Sequence, residues 1–317
     1  MNRNVLFSLL FCFLLTSEKL VAEEPPDTVT VGVYITSIHD IDFRQKEYAV
    51  NLWLWLTYKN PEFDFLQNLE VPQAKTVVKS YATLDTVDGK IYILMKLQCI
   101  MKDSWTITNF PFDRQRLRLG IENSQFDTRS LIFAADTVGN HYDKRFTISG
   151  WSIDSFDIAT NIKVYETSFG DASLEKPRSE YSVFRVRIGI IRDSWGLFWK
   201  MFLGMYVSLL IAYVCFFIHA DSIDSRFGLS VGALFAAIGN KYVIDSSLPE
   251  STTFTLVDTL HGLTLIFIFC VITASVYALK LAKANKVKQA NRFDMIIGHV
   301  LLLIYLALNF YYISIAT

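Results

Sequence analysis

The chain is poor in charge and in histidine, and each shortage excludes a class of function. Charged residues make up 19% of its 317 residues, and 30 Lys and Arg nearly balance 31 Asp and Glu, which leaves a formal net charge of −1. Proteins that bind nucleic acids electrostatically carry a basic excess that neutralises phosphates, so we expect no nucleic-acid partner. The 5 histidines are scattered, without the spacing of metal ligands. We therefore expect no cofactor, and the sequence leaves metal binding unknown.

Cysteine is also scarce, and the 4 present imply no disulfide framework. Cys12 lies in an N-terminal leader, Cys215 and Cys270 lie in apolar runs, and Cys99 stands alone. An exported domain of about 170 residues buries a sufficient core without disulfides.

Apolar residues are in excess, at 52%, and they are concentrated in the second half of the chain. Residues 1–22 combine Arg3, an apolar stretch over 5–15 and a small residue at Ala22, which is the pattern of a secretory signal. That stretch is too short to cross about 30 Å of hydrocarbon as a helix. Residues 23–195 carry charges at ordinary density and indicate an exported domain, whereas residues 196–317 indicate a membrane domain.

The membrane domain contains three segments long enough to span a bilayer, at 197–218, 256–279 and 295–315. A fourth segment, 227–244, is less apolar and rich in glycine and alanine, so an amphipathic surface helix or a re-entrant segment is its alternative interpretation. Three spans would leave the basic linker 280–292 outside the cell, against the positive-inside rule.

We therefore predict four membrane helices, with the N-terminal domain and the C-terminus both outside the cytoplasm. Their expected bounds are about 197–218, 225–244, 255–282 and 293–315.

The exported domain alternates apolar and polar residues as half-buried strands do. Residues 29–35 show this pattern, and the runs 91–100, 115–121 and 181–190 are similar. Several short strands without a helical period favour an all-β antiparallel sandwich, with a closed barrel as the competing fold.

One predicted strand, at 51–58, gives no clean alternation, because Leu52, Leu54 and Leu56 are interleaved with Trp53 and Trp55. A strand buried on both faces explains this pattern. A strand whose second face meets another subunit explains it equally well, and would make one of the tryptophans an interface residue.

A hexapeptide in the exported domain, Phe110-Pro111-Phe112-Asp113-Arg114-Gln115, resembles the signature loop of the pentameric ligand-gated ion channels, also called Cys-loop receptors. Further segments resemble the family along the whole mature chain: Ile41-Asp42, Asn51-Leu52-Trp53, Tyr58-Lys59-Asn60-Pro61, Arg192 and Leu248-Pro249.

Two departures resemble the prokaryotic members of that family. The two cysteines of the family's loop would fall at Asp103 and Leu117, so the loop disulfide is absent. The cytoplasmic region between the last two spans is only about a dozen residues long, which also resembles the prokaryotic members.

The resemblance implies an immunoglobulin-like all-β sandwich followed by an all-α four-helix transmembrane domain. It also implies a homopentamer in a bacterial inner membrane that conducts ions when a ligand binds, and no enzymatic activity or catalytic residue. The layer that couples ligand binding to the pore would comprise Asp42, Phe110, Pro111, Phe112, Asp113, Arg192 and Pro249. Within it Asp113 and Arg192 would form a charge pair, with a purely structural pair as the alternative.

By the same resemblance, the ligand binds between adjacent exported domains, and Trp53, Glu180 and Tyr181 are its candidate contacts. Residues 167–181 would form the loop that caps the site. The tryptophans that bind ammonium groups by cation–π attraction in the family are not recognisable here, which argues against an amine. Acidic residues at Asp171, Glu175 and Glu180 would suit calcium or proton sensing, with a solvated loop as the alternative.

The second span carries six residues at spacings of three and four, which places them on one helical face. They are Asp224, Gly228, Gly232, Phe235, Gly239 and Tyr242. In a five-fold assembly this face would line the pore, whereas in isolation a small-residue packing face explains it as well.

Two of the six carry specific roles in this interpretation. A ring of Asp224 carboxylates would select permeant cations, and Phe235 would close the pore as an apolar constriction. Asp221 is a nearby alternative for selectivity. Lys241 and Asp245, near the other end of the span, are expected to form a structural ion pair, with a role in gating as the alternative.

Two other classes compete with a channel. The segment 228–232 matches the Gly-x-Ser-x-Gly nucleophile elbow of hydrolases around Ser230, but it lies inside a membrane span. A membrane-anchored sensor that binds ligand without conducting differs from a channel only in the face of the second span.

Overall fold

The computed structural model describes residues 25–172, 174 and 176–317. The signal expected at residues 1–22 and the acidic residue Glu175 lie outside the described residues.

Alternating side chains fold the exported half into two sheets packed face to face. In the described residues the strands are β1 (Asp27–Asp42), β2 (Glu47–Tyr58), β3 (Leu69–Glu70), β4 (Ala74–Val87), β5 (Lys90–Lys102), β6 (Arg114–Asn123), β7 (Leu131–Ala135), β8 (Trp151–Tyr165) and β9 (Ser179–Arg192). The first sheet has the strand order β4-β5-β2-β1-β7, and the second has the order β3-β6-β9-β8. A short helix, Phe65–Asn68, precedes β3. Strands β1 and β7 run parallel, unlike the other pairs. The two separate sheets confirm the sandwich over the closed barrel.

Buried and half-buried side chains alternate along strand β2. Leu52, Leu54 and Leu56 are fully buried in the core between the sheets, whereas Trp53 and Trp55 lie half-buried on the opposite face. The strand is therefore not buried on both faces. The sequence pattern hid the alternation because tryptophan is apolar yet occupies the outer face here.

The two tryptophans of β2 differ in how well the chain covers them. The ring of Trp55 lies over Gly32, where an added Cβ would come within 2.3 Å of the indole, and its Nε1 donates a hydrogen bond to Asp136 at 2.9 Å. Trp53 meets the edge of Tyr81 at 5.7 Å between ring centroids. Since the chain supplies the partners of Trp55, Trp53 is the better candidate for a contact with another subunit.

Cys99 is a core residue of β5. Burial raises the pKa of its thiol to about 12, so the side chain is a neutral, unreactive group at physiological pH. Within the described residues Cys99, Cys215 and Cys270 are all free thiols.

A charge pair closes the loop that a disulfide closes in the Cys-loop receptors. The carboxylate of Asp103, next to the end of β5, accepts the backbone N–H of Ser104 at 2.8 Å and that of Arg118 at 3.2 Å. It also pairs with the Arg118 guanidinium, and this hydrogen bond raises the pKa of Arg118. Leu117, the other expected cysteine position, is fully buried in the core.

After the sandwich, the described chain has four helices that are long and apolar enough to cross a membrane. We call them the first to fourth membrane helices: Ser194–Val214, Ile223–Asp245, Leu256–Lys283 and Val287–Ala316. A 3₁₀ turn, Cys215–Phe217, extends the first. The second is the least apolar of the four, as the sequence indicates.

The fourth membrane helix is longer than expected, whereas the third lies within one residue of its expected bounds. The fourth begins at Val287, well before residue 293, so that residues 284–286 are the connection and most of the expected basic linker is helical. Lys280 and Lys283 lie in the last turn of the third helix, where positive charge is favourable because the carbonyl ends carry partial negative charge. Asn285, with a φ of 60°, then ends the helix in the left-handed conformation.

We expect Asp103→Ala to destabilise the sandwich by about 1–3 kcal/mol, because two backbone N–H groups and a guanidinium lose a buried acceptor. The measurement is the thermal unfolding midpoint of the detergent-solubilised protein. Asp143→Ala is the matched control, since Asp143 pairs with Arg145, whose side chain is 88% exposed. Equal midpoints for the two variants would show that the Asp103 pair does not hold the loop.

Candidate functional site

The signature loop packs onto the first membrane helix. The backbone N–H of Phe112 donates to the carbonyl of Asn109 at 2.8 Å and closes the turn. The Phe112 ring then meets Trp195 and Phe198 at centroid distances of 5.0 and 5.5 Å. Phe110 is buried in the same apolar cluster. The loop is therefore seated by aromatic contacts on the helix that follows the sandwich.

Arg192 and Asp113 form the ion pair expected from the sequence. Arg192 Nε lies 2.7 Å from Asp113 Oδ1, and the two side chains are 10% and 2% exposed. The guanidinium also lies over the rings of Phe43, Phe110 and Trp151, at 4.5, 4.9 and 4.0 Å from their centroids. Cation–π attraction adds to the ion pair when the cation is desolvated. The pair is thus enclosed in an aromatic box.

The expected coupling residues form one layer between sandwich and helices. Asp42 is the last residue of β1, and its carboxylate accepts the backbone N–H of Gln45 in the β1–β2 turn at 2.7 Å. A cleft of about 520 Å³ is lined by Asp42, Phe110, Arg192 and Leu248. The peptide bond between Phe110 and Pro111 in the signature loop is cis. Pro249 is buried and lines a neighbouring cleft together with Lys241 and Asp258.

One hydrogen bond and one set of ion pairs connect this layer to the second and third membrane helices. The backbone N–H of Leu256, the first residue of that helix, donates to the carbonyl of Thr108 at 2.8 Å. Lys241 on the second helix pairs with Asp245 at 2.5 Å and with Asp258 on the third helix at 2.8 Å. Lys241 therefore joins two helices, as expected of a structural pair, and it has one more carboxylate partner than the sequence indicated.

The second membrane helix has two distinct faces. Its buried face, which packs on the other helices, consists of Arg226, Ser230, Ala233, Ala237 and Ile244. All six residues on the expected pore face are exposed in the single chain: Asp224, Gly228, Gly232, Phe235, Gly239 and Tyr242. Phe235 and Tyr242 are 68% and 76% exposed. The glycines therefore do not pack against another helix of the same chain, and none of the three has an atom within 4 Å of the position of an added Cβ.

A buried ion pair anchors the start of this helix. Arg226 Nη2 lies 2.6 Å from Asp294 Oδ2 on the fourth helix, and both side chains are 2% exposed. Arg226 Nε also donates to the carbonyls of Ile218 and His219, at 3.1 and 3.2 Å. The guanidinium thus points away from the exposed face that carries Asp224.

The hydrolase-like segment has no hydrolase geometry. Ser230 lies in the middle of the continuous helix Ile223–Asp245, whereas a nucleophile elbow requires a turn from strand to helix. Its hydroxyl is buried at 3.3 Å from the Sγ of Cys215, so Ser230 is a packing residue.

The three candidate ligand residues are not on one surface of a single chain. Trp53 lies on β2 in the first sheet, whereas Glu180 and Tyr181 lie on β9 in the second. Lys96 lies 5.7 Å from the centroid of the Trp53 ring. Glu180 pairs with Arg178 at 2.7 Å. A site that contains all three residues therefore requires two copies of the chain.

Sequence reasoning missed the surroundings of Tyr181. The rings of Tyr165 and Phe169 lie 5.8 and 6.3 Å from that of Tyr181. Glu122 is buried beside them, accepts the Tyr165 hydroxyl at 2.8 Å and pairs with Lys163 at 3.1 Å. Burial lowers the pKa of Lys163, but hydrogen bonds to Tyr165 and Glu122 outweigh it, so the pKa is raised. The sequence did contain an indication of this cluster, because Phe169 and Tyr181 lie near the two ends of the loop expected to cap the site.

Among residues 25–172, 174 and 176–317, no three His, Cys, Asp or Glu side chains lie close enough together to hold a metal ion.

Several known proteins are similar to this chain, although no family model matches it. A proton-gated ion channel of Gloeobacter violaceus is 24% identical over 92% of this chain and 85% of its own length. An acetylcholine receptor subunit epsilon of Rattus norvegicus is 24% identical over 78% of this chain and 55% of its own length. A gamma-aminobutyric acid receptor subunit epsilon of the same organism is 17% identical over 78% of this chain and 52% of its own length. The chain thus spans about half the length of these receptor subunits.

These relatives agree with the sandwich, the signature loop and the four membrane helices described above. At low sequence identity, they support the pentameric ligand-gated ion channels as the family of this chain.

Proposed function

We propose that five copies of this chain form a ligand-gated, cation-selective channel whose axial path is lined by the second membrane helix. Function as a ligand-gated ion channel is supported by the relatives. The observation that carries the finer proposal is the exposed face of the second helix, which combines a carboxylate, three glycines and two aromatic rings in a helix otherwise apolar enough to span. A face of this kind is unfavourable against lipid and suits an axis filled with water.

Cation preference rests on Asp224. Asp224 is exposed and lies in the first turn of the helix, at the cytoplasmic mouth if the sandwich is exported. Five carboxylates in a ring concentrate cations and repel anions. Arg226 does not oppose this field, because its charge is buried and neutralised by Asp294. The relatives include subunits of acetylcholine and gamma-aminobutyric acid receptors, so the cation preference is inferred from Asp224 and not from them.

Closure rests on Phe235. Among the six residues of the proposed pore face, the neighbours of Phe235 are Gly232 and Gly239, whose lack of a side chain leaves wider sections on either side of the aromatic ring. A ring of five phenylalanines at mid-span forms the narrowest, least polar section, and such a section stops ions by excluding water.

Coupling rests on the layer of residues between the sandwich and the membrane helices, which we call the junction layer. A ligand opens a channel when it binds the open arrangement more tightly than the closed one. The layer connects the sandwich to the membrane helices through the Asp113–Arg192 pair, the seat of Phe112 on the first helix and the bond from Leu256 to Thr108. A displacement of the sandwich therefore reaches the helices through these contacts.

The ligand site is proposed between neighbouring sandwiches, with Trp53 of one copy facing Glu180 and Tyr181 of the next. The aromatic cluster of Tyr165, Phe169 and Tyr181 supplies an apolar wall, and Glu180 and Glu122 supply carboxylates. This composition suits a small ligand, a calcium ion or protons. The channel is placed in the cell membrane, a bacterial inner membrane, with the sandwich and the C-terminus outside the cytoplasm.

Electrophysiology on the purified protein in liposomes tests the proposal. Currents are recorded while pH, calcium and candidate small ligands are varied in turn, and the permeant ions are then substituted. Ligand-dependent current that reverses near the cation equilibrium potential is the expected result. Five-fold particles without current under every condition would favour a non-conducting, membrane-anchored ligand sensor.

Phe235→Ala is expected to produce channels that leak without ligand, because the apolar constriction widens and hydrates. The measurement is resting current in liposomes. Phe269→Ala is the matched control, since Phe269 on the third helix is also 68% exposed but lies off the proposed axis. Normal closure of Phe235→Ala would remove the gate from this residue.

Asp224→Lys is expected to shift the reversal potential toward that of the anion, because a positive ring replaces the negative one. Reversal potentials are measured in asymmetric salt. Asp221→Lys is the comparison, as Asp221 is an exposed acid just before the same helix. A shift in Asp221→Lys with none in Asp224→Lys would move the selectivity ring to Asp221.

Asp113→Asn and Arg192→Gln are each expected to change the free energy of opening, and the double variant less than their sum. Contacting charges typically show interaction energies of about 0.5–3 kcal/mol in such cycles. Open probability is measured under the activating condition found in the screen. Strict additivity would show that the pair does not couple the two domains, and Asp143→Asn with Arg145→Gln gives the baseline for an exposed pair.

A further inference from the structure

The outward face of the second sheet carries two neighbouring rows of arginines. On β6, Arg114, Arg116 and Arg118 are exposed and alternate with buried residues. On β9, Arg185 and Arg187 are half-buried between buried neighbours. The strand register sets Arg118 directly opposite Arg187. Like charges that face each other across an antiparallel pair are destabilising. Asp103 pairs with Arg118 and Asp157 on β8 lies opposite Arg187 in the register, so these two charges are partly compensated.

The chain itself supplies too few carboxylates for this face. Arg118 pairs with Asp103, and Lys163 on β8 pairs with Glu122. Arg114, Arg116 and Arg187 have no carboxylate within ion-pair distance in the part of the chain that the structure describes. Exposed arginines often remain solvated, but here they converge on a concave surface.

A cleft of about 640 Å³ lies between the two rows, lined by the guanidinium-bearing residues Arg114, Arg116, Arg118 and Arg187. Cavities that hold small molecules are typically about 300–1,000 Å³. This volume therefore admits a ligand of several heavy atoms between the arginines.

The rest of the lining is mostly hydrogen-bonding. Three hydroxyls, those of Ser104, Thr106 and Ser155, belong to it, and Asp154 is its carboxylate. Gly189, paired with Arg116 in the strand register, lets the Ser155 hydroxyl lie against the floor of the cleft, since an added Cβ there would come within 2.3 Å of it. Four guanidiniums thus face one carboxylate in a cleft rich in donors.

We propose that this cleft binds a small multivalent oxyanion, a di- or tricarboxylate or a phosphate compound, between Arg116 and Arg187. The planar guanidinium presents parallel N–H donors that match the oxygen spacing of carboxylate and phosphate groups. An anion bound there supplies the counter-charge that Arg114 and Arg116 lack among the described residues. The cleft borders the signature loop, because Gln115 in its lining donates a hydrogen bond to Asp113 at 2.6 Å. None of its lining residues belongs to the second membrane helix.

The test uses full-length protein in a neutral detergent, titrated calorimetrically with citrate and, separately, with pyrophosphate at constant ionic strength. Saturable binding of at least one probe is expected. Arg187→Gln is expected to weaken it by about tenfold or more, because charge-assisted hydrogen bonds are lost. Arg116→Gln gives a second, independent reading if Arg187→Gln does not fold. Arg145→Gln is the matched control on an exposed loop and should bind as the original chain does.

Thermal unfolding without the probe separates a binding arginine from a structural one. Arg187→Gln should leave the midpoint of the free protein nearly unchanged, because Arg187 faces a like charge on β6 and an opposite charge on β8. It should abolish the upward shift caused by the probe. Three results would overturn the proposal: no binding beyond that of chloride, unchanged affinity in Arg187→Gln and Arg116→Gln, or an equal loss in Arg145→Gln. A response to long polyanions alone would also overturn it and would indicate a macromolecular partner.

Discussion

A guanidinium at the boundary between water and lipid has to be met by a counter-charge and by surfaces that tolerate it. Arg192, the last residue of β9, stands just before the first membrane helix. Asp113 from the signature loop neutralises it, and Phe43 from the β1–β2 turn and Trp151 from the start of β8 cover its faces. One side chain thereby fixes several segments that are far apart in sequence. The seating of the sandwich on the helices follows from this requirement.

Local physics made much of the fold predictable from the sequence. The period of two in β1 and the lengths of the apolar runs required only neighbouring residues, and both the sandwich and the four membrane helices have the expected form. The start of the fourth helix was predicted less well, because the basic segment before it was interpreted as a linker. Basic residues are nevertheless compatible with helix, and Lys283 lies in the last turn of the third helix, where a positive charge is favourable. The alternation of β2 was hidden because its outer residues, Trp53 and Trp55, are as apolar as its core residues.

The candidate site was predictable where the family motif names the residues and much less so elsewhere. Asp113 and Arg192 meet as expected, and the exposed face of the second helix follows from spacings of three and four. The aromatic box around Arg192 and the second partner of Lys241 depend on how distant segments pack, which no local pattern encodes. Trp53 and Tyr181 lie on different sheets, so their relationship is a property of the assembly and not of one chain.

Arg118 shows how one residue serves two environments. Its hydrogen bonds with Asp103 close the loop that a covalent bridge closes in the Cys-loop receptors. Its other side belongs to the arginine-lined cleft. An ionic closure responds to ionic strength and to neighbouring charge, unlike a disulfide. The loop beneath the sandwich is therefore sensitive to the electrostatics of the outer sheet face.

The buried pair of Arg226 and Asp294 has a consequence for how the protein is made. A chain that enters the membrane from its N-terminus inserts the second helix before the fourth has been synthesised, and domains generally form in that order. During this interval the Arg226 guanidinium has the carbonyls of Ile218 and His219 as partners, but not its carboxylate. A buried charge without its counter-ion costs several kcal/mol. The Arg226–Asp294 pair therefore forms only when the fourth helix is in place, so the second helix gains this anchor at the last step of chain synthesis.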